Sequence, residues 1–209
     1  RVSADGTGHA FASPTGRYMG ITVFSNGSLA RERIRDRFRL DWNGFSAALA
    51  ATPPGNDGAV MLPWFEPEIT PPVAQPRAVE FDLDGAAPAR YVRAVVEGQM
   101  MALLRHSRWM GVNPRTIYAT GGAAANREIL QVMADVFDAA VYRFASADWA
   151  ALGAALRAWQ ADQALPWADV VSDFCKPLGD PVRPVSSNVT TYRRLQRRYI
   201  DLERAALLG

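Results

Sequence analysis

The run Ile117-Tyr118-Ala119-Thr120-Gly121-Gly122-Ala123-Ala124-Ala125-Asn126-Arg127-Glu128-Ile129-Leu130 constrains this chain more than any other segment. β-forming residues lead into two glycines and three alanines. Ile129, Val132, Met133, Val136 and Phe137 then recur at helical spacing. Consecutive glycines let the main chain turn without a Cβ clash and let a ligand approach the backbone closely. The alanines keep that surface flat, and Asn126 can both donate and accept, which suits the edge of a purine or a ribose hydroxyl. The same residues also describe a plain strand-to-helix turn with Asn126 as its cap. No lysine and Ser/Thr follow at P-loop spacing, and the pattern is not G-x-G-x-x-G.

Around this run the chain alternates. Gly6 to Gly16 reads as turns, and Tyr18 to Phe24 as a short buried strand. Leu29 to Phe38 and Trp42 to Ala51 read as helices, the second stopped by Thr52-Pro53-Pro54-Gly55. Val60 to Phe65 reads as an edge strand, because Pro63 cannot donate to a ladder. The proline-dense stretch from Glu66 to Pro88 reads as a loop with little regular structure. Val92, Val95, Val96, Met100, Leu103 and Leu104 predict one long amphipathic helix from about Ala89 to Trp109. Thr116 to Thr120 and Val141 to Phe144 are strand candidates on either side of the helix that follows Gly122. Ser146 is a candidate cap for a helix that buries Trp149, Leu152, Leu156 and Trp159, and a last helix covers about Val189 to Leu208. Helix, strand, helix, strand, helix is the rhythm of an α/β layer.

Composition bounds what such a layer does. Of 209 residues 49% are hydrophobic and 21% charged, so a real core can form, while a net charge of +2 does not by itself imply nucleic-acid binding. A single cysteine, Cys175, excludes an intrachain disulfide and agrees with a reducing, cytoplasmic setting. No apolar stretch approaches the ~20 residues that span a bilayer. His9 and His106 stand apart from any ligand spacing and read as structural. Glu97-Gly98-Gln99 lies inside the long helix, where a glycine serves either close packing or close ligand approach. On the last helix Tyr192, Leu195, Tyr199 and Leu202 alternate with Arg193, Arg194, Arg197 and Arg198. That is a docked amphipathic helix with a solvated arginine face, paired in part to Asp201 and Glu203, rather than an RNA stripe.

Several short motifs occur in a fixed order: Gly8-His9-Ala10-Phe11, Tyr18-Met19-Gly20 with Asn26-Gly27-Ser28-Leu29-Ala30-Arg31-Glu32, Glu68-Ile69-Thr70-Pro71, Glu97-Gly98-Gln99, and Ala119-Thr120-Gly121-Gly122 with Asn126 to Phe137. Together, from about Gly8 to Ala161, they resemble the C-terminal domain of the FGGY carbohydrate kinases, and among these the xylulokinase type. The resemblance implies an α/β, ribonuclease H-like (actin-like ATPase) domain with a mixed sheet flanked by helices. It implies ATP and Mg²⁺ as the phosphoryl donor and its ion, and an ATP site in which Gly121, Gly122 and Ala123 present backbone to the nucleotide. On the same match Asn126 contacts the adenine, Trp42 lies against the purine, and Gly27 and Ser28 line the opposite wall.

The resemblance further implies a sugar kinase, D-xylulose being the expected acceptor and another pentulose or a polyol the alternative. The family's catalytic aspartate and its glycine-threonine phosphate turn precede the matched region, so no catalytic residue is assigned in residues 1–209. On this reading the chain is a C-terminal nucleotide-binding fragment that contacts its sugar through an N-terminal domain, with no nucleic-acid or membrane partner. The face turned towards that domain would be open to self-association as a homodimer. Two other classes fit parts of the sequence. One is a non-catalytic adenine-nucleotide module of the actin/Hsp70 type, and the other an RNA-binding α/β domain resting on the arginine-rich helix.

Overall fold

The computed structural model describes residues 6–13, 15–144, 148–172 and 174–208. Within these, the first half of the chain runs β1 (Gly8–Ala12), β2 (Tyr18–Thr22), α1 (Ser28–Arg37), α2 (Trp42–Ala51), β3 (Val60–Trp64), β4 (Arg77–Phe81) and α3 (Pro88–Ser107). The second half runs β5 (Thr116–Ala119), α4 (Arg127–Phe137), β6 (Ala140–Arg143), α5 (Trp149–Gln163), α6 (Trp167–Ser172) and α7 (Ser186–Leu208). The strands pair in twos: β1 with β2 and β3 with β4 antiparallel, β5 with β6 parallel across the helix α4.

The core is built around α3. Its proline at the first helical position has a φ already suited to the helix. Every residue from Tyr91 to Ala102 is buried, so α3 has no solvent face along that length. It packs on β3 and against α1, α2, α4 and α7. One residue sets how close α3 and β3 come. A Cβ at Gly98 would overlap the carbonyl oxygen of Met61, so the glycine inside Glu97-Gly98-Gln99 serves backbone-to-backbone packing rather than a ligand.

Polar side chains inside α3 bind its neighbours. Glu97 Oε1 accepts from Arg93 Nε at 2.6 Å, the Gly55 amide at 2.8 Å and the Tyr192 hydroxyl at 2.8 Å. Tyr192 OH in turn accepts from Arg93 at 2.6 Å, so the turn after α2, the middle of α3 and α7 share one buried network. Burial pushes the Tyr192 phenol well above its ordinary pKa, and the Glu97 charge adds to that shift. The hydroxyl therefore stays protonated and continues to donate. Further along α3, His106 Nε2 meets both Glu203 oxygens at 3.1 Å and Arg105 Nε lies 2.8 Å from Glu203, which fits the structural reading of His106.

Several sequence expectations are corrected. Gly8–Ala12, read as part of a turn, is a strand, and β2 is not buried: Tyr18 is 86% exposed. Both belong to a surface hairpin held by Trp109 Nε1 donating to Thr22 Oγ1 at 2.9 Å. The proline-dense stretch contains β4, whose Val79 and Phe81 pack against the core; the flanking prolines hid a five-residue strand with these two apolar residues at alternate positions on the same face. Among the described residues β3 pairs on one side only, as expected from its proline, yet all five of its residues are buried, with α3 packed on it. On α5 only Leu156 is buried, and Trp159 is 41% exposed. Its cap is Asp148, whose carboxylate accepts from the Ala151 amide, while Ser146 lies outside the described residues. On α7, Tyr192, Leu195 and Tyr199 are buried as expected. Its arginines pair across elements instead, Arg193 with Asp138 and Arg198 with Asp82, because Glu203 faces the core.

The Gly98 contact yields a test. Alanine is ~1 kcal/mol better than glycine in a free helix. Here Gly98→Ala must push α3 off β3, and we expect a net loss of about 2 kcal/mol in urea denaturation.

Candidate functional site

The β5–α4 connection is made by glycines with two different reasons to be glycine. Gly121 has φ 80° and ψ −176°, a conformation that side chains exclude. Gly122 has no such backbone demand, and a Cβ placed on it would meet nothing within 4 Å. Neither conformation nor packing asks for glycine at 122, and the space its side chain would fill is left open. A 3-10 turn over Gly122–Ala125 follows, in which the amides of Gly122 and Ala123 find no acceptor among the described residues.

Asn126 ends that turn and opens α4. Its Oδ1 accepts from the Glu128 amide at 3.0 Å and the Ile129 amide at 3.1 Å, which is the geometry of an N-cap. Its Nδ2 donates to Ser46 Oγ at 2.6 Å, tying α4 to α2. The acceptor side of the carboxamide is thus committed to the fold, and one Nδ2 hydrogen is left for another partner.

The facing wall comes from α1 and α2. Trp42, the first residue of α2, is 44% exposed; its ring meets Phe45 edge-on at 5.5 Å, and the Arg35 guanidinium lies 4.6 Å over it. Asp41 caps α2 by accepting from the Gly44 amide at 2.6 Å. Gly27 and Ser28 start α1, whose N-terminus has no side-chain cap. The turn before them is clamped from below. The Glu68 carboxylate accepts from the amides of Ser25, Asn26 and Ile69 and from Asn26 Nδ2, at 2.6 to 3.1 Å. From α3, Gln99 Nε2 donates to the carbonyls of Asn26 and Gly27 at 2.6 Å each.

Between the two walls lies a cleft of about 770 Å³. Of the residues singled out from sequence, Ser28, Trp42, Gly122, Ala123 and Asn126 line it. Gly27 and Gly121 do not, although each adjoins a residue that does; Gly27 lines a second, smaller cavity instead. The cleft also takes in Arg31, Glu32, Ser46 and Thr120, to which the sequence reading gave no role. Helical spacing could have found two of them, since Arg31 and Ser46 lie three and four residues after Ser28 and Trp42. Burial lowers the Arg31 pKa, against the opposing pull of the Glu32 charge. The guanidinium nevertheless stays charged.

Comparison with known proteins gives the family and the fold. The sequence profile of the FGGY family of carbohydrate kinases, C-terminal domain, matches residues 6–161. The chain belongs to the FGGY family. Xylulose kinase from Rattus norvegicus is 38% identical over 215 residues, covering 96% of this chain and 39% of that protein. Xylulose kinase from Mus musculus is 38% identical over 213 residues, covering 96% and 38%. Among solved structures, ligand-bound xylulose kinase from Lactobacillus acidophilus superposes with a TM-score of 0.88 at 20% identity, over 98% of this chain and 43% of that one. That likeness establishes the FGGY kinase fold, of the actin-like ATPase class expected from the sequence. The chain spans about two fifths of the length of these curated relatives.

The double duty of Asn126 sets an expectation for mutagenesis in this FGGY domain. Asn126→Ala removes a cap and an inter-helix bond, and we expect a loss of ~1 kcal/mol or slightly more in thermal or urea unfolding. Asn126→Asp keeps the acceptor and retains most of that stability, so the pair separates the cap from any ligand contact.

Proposed function

We propose that this chain is the nucleotide-binding, C-terminal domain of a sugar kinase, and that the cleft between α1–α2 and the β5–α4 turn holds the adenosine of ATP or ADP. The observation that carries the reading is Gly122, a glycine that neither backbone conformation nor packing requires, set on the cleft wall where its own amide and that of Ala123 find no acceptor among the described residues. A purine would stack on the face of Trp42 that Arg35 leaves open, and the remaining Nδ2 hydrogen of Asn126 would reach its edge. Residues nearly 100 positions apart in sequence, Ser28 and Asn126, share this one cleft, which supports a ligand role for both walls.

In the whole enzyme the γ-phosphoryl of ATP passes in line to a sugar hydroxyl, with D-xylulose the acceptor and xylulose 5-phosphate the product. The names of the mammalian relatives support that acceptor. The base that takes the hydroxyl proton and the groups that bind the sugar belong, on this reading, to the N-terminal domain; the chain alone is inactive and works in the cytoplasm. Mg²⁺ would arrive on the nucleotide phosphates. Glu32 is the one carboxylate among the residues lining the cleft, and it does not make up a metal site. What this chain supplies is position: it holds the nucleotide in place for transfer to a sugar bound by the second domain.

Calorimetric titration with ATP and ADP tests the proposal. Trp42→Ala should weaken both nucleotides by about tenfold, the worth of one base stacked on an aromatic ring. Gly122→Val should abolish measurable binding while leaving unfolding within ~0.5 kcal/mol of the parent, since its side chain points into open space. Undiminished binding by Gly122→Val would mean that the nucleotide lies elsewhere.

A further inference from the structure

Arg31 is the one charged residue of the cleft whose placement the fold does not explain. It is only 9% exposed, yet among the described residues a single one of its five N–H donors is used, NH1 to Gln99 Oε1 at 2.7 Å. Among the described residues no carboxylate lies within ion-pair distance of it. The other buried arginine, Arg93, shows the usual solution, with Glu97 at 2.6 Å and the Tyr192 hydroxyl as a second partner. Glu32 sits on the same cleft wall, but adjacent residues on a helix point apart, and its charge reaches Arg31 only at longer range.

The surroundings add to the positive potential. Arg31 lies on α1, whose amide end opens with Gly27 and Ser28, carries no side-chain cap and has no acidic residue in its first turn. Gln99 holds the arginine through Oε1 and the Asn26–Gly27 carbonyls through Nε2, so a buried residue of α3 fixes the guanidinium relative to the cleft wall. A planar fork with its remaining donors free, held rigidly in a half-dry cleft, matches the oxygens of a phosphate group.

We infer that Arg31 is a phosphate-recognition residue, its guanidinium taking the phosphate chain of the nucleotide whose adenosine the cleft holds. This rests on the reading of the cleft as a nucleotide site and adds to it a group that makes the domain itself tell nucleotides from nucleosides. Phosphate recognition is then shared by this chain with the second domain rather than left to it alone.

The experiment compares Mg²⁺-free adenosine, AMP and ADP by calorimetry on the chain and on Arg31→Gln and Arg31→Lys. At least one phosphorylated ligand should bind the parent about tenfold or more tighter than adenosine, the worth of one charge-assisted contact. Raising NaCl should narrow that gap. In Arg31→Gln, which can still donate to Gln99, the gap should close while adenosine binds as before, and Arg31→Lys should recover part of it. Equal binding of all three ligands by the parent overturns the inference, as does a gap that survives in Arg31→Gln. A uniform loss for all three would make Arg31 a ribose or structural contact and also overturns it. If Arg31→Gln fails to fold, the parent's ligand series, its salt dependence and Arg31→Lys decide the matter. A folded parent that binds none of the three removes the nucleotide reading of the cleft, and the inference with it.

Discussion

The contact between the middle of α3 and the backbone of β3 is the one on which the rest of this domain depends. A helix buried on every side must satisfy all its neighbours at once, and the absent side chain at Gly98 lets it approach Met61 closely enough to do so. With that distance set, the residues on either side of the glycine become useful. Glu97 gathers Arg93, Gly55 and Tyr192 into one buried network, and Gln99 reaches the turn that begins α1. Buried polar groups of this kind are costly unless satisfied, so they allow few alternative packings.

From α3 the order is passed to the cleft by hydrogen bonds rather than by apolar packing alone. Gln99 and Glu68 hold the Ser25–Gly27 turn from two directions, and that turn places Ser28 and Arg31. On the other side Asn126 caps α4 and bonds Ser46 of α2, so the two walls are fastened to each other at the base of the cleft. A site whose walls share a hydrogen bond is pre-organised, and a ligand entering it has little ordering left to cause.

How much of this was legible in the sequence follows from the range of the forces involved. Strand–Gly-Gly–helix is a local signal, written in neighbouring residues, and β5, the turn and α4 lie where the residues predict. The period of α3 was equally legible, because a helix's apolar residues repeat along the chain itself. β1 and β4 were not, since a strand is stabilised by a partner the sequence does not adjoin, and glycine and proline nearby read as turns. The pairing of the α7 arginines failed for the same reason: their acids are Asp138 and Asp82, far away along the chain.

By itself, then, the sequence determined the family, the α/β rhythm, the residues of the glycine turn and the candidacy of Trp42 and Asn126, all of which rest on local pattern or on motifs in order. Only the tertiary structure decided what Gly98 is for, that Gly121 and Gly122 are glycines for different reasons, and that the acceptor of Asn126 is spent on a helix cap. It also decided that Arg31 is buried on the cleft wall with no carboxylate at ion-pair distance among the described residues. Those are properties of which groups meet in space. The Gly98 and Arg31 environments are set by contacts between segments tens of residues apart. The conformation of Gly121 and the Asn126 cap are local, but the residue names alone do not choose between a cap and a ligand contact.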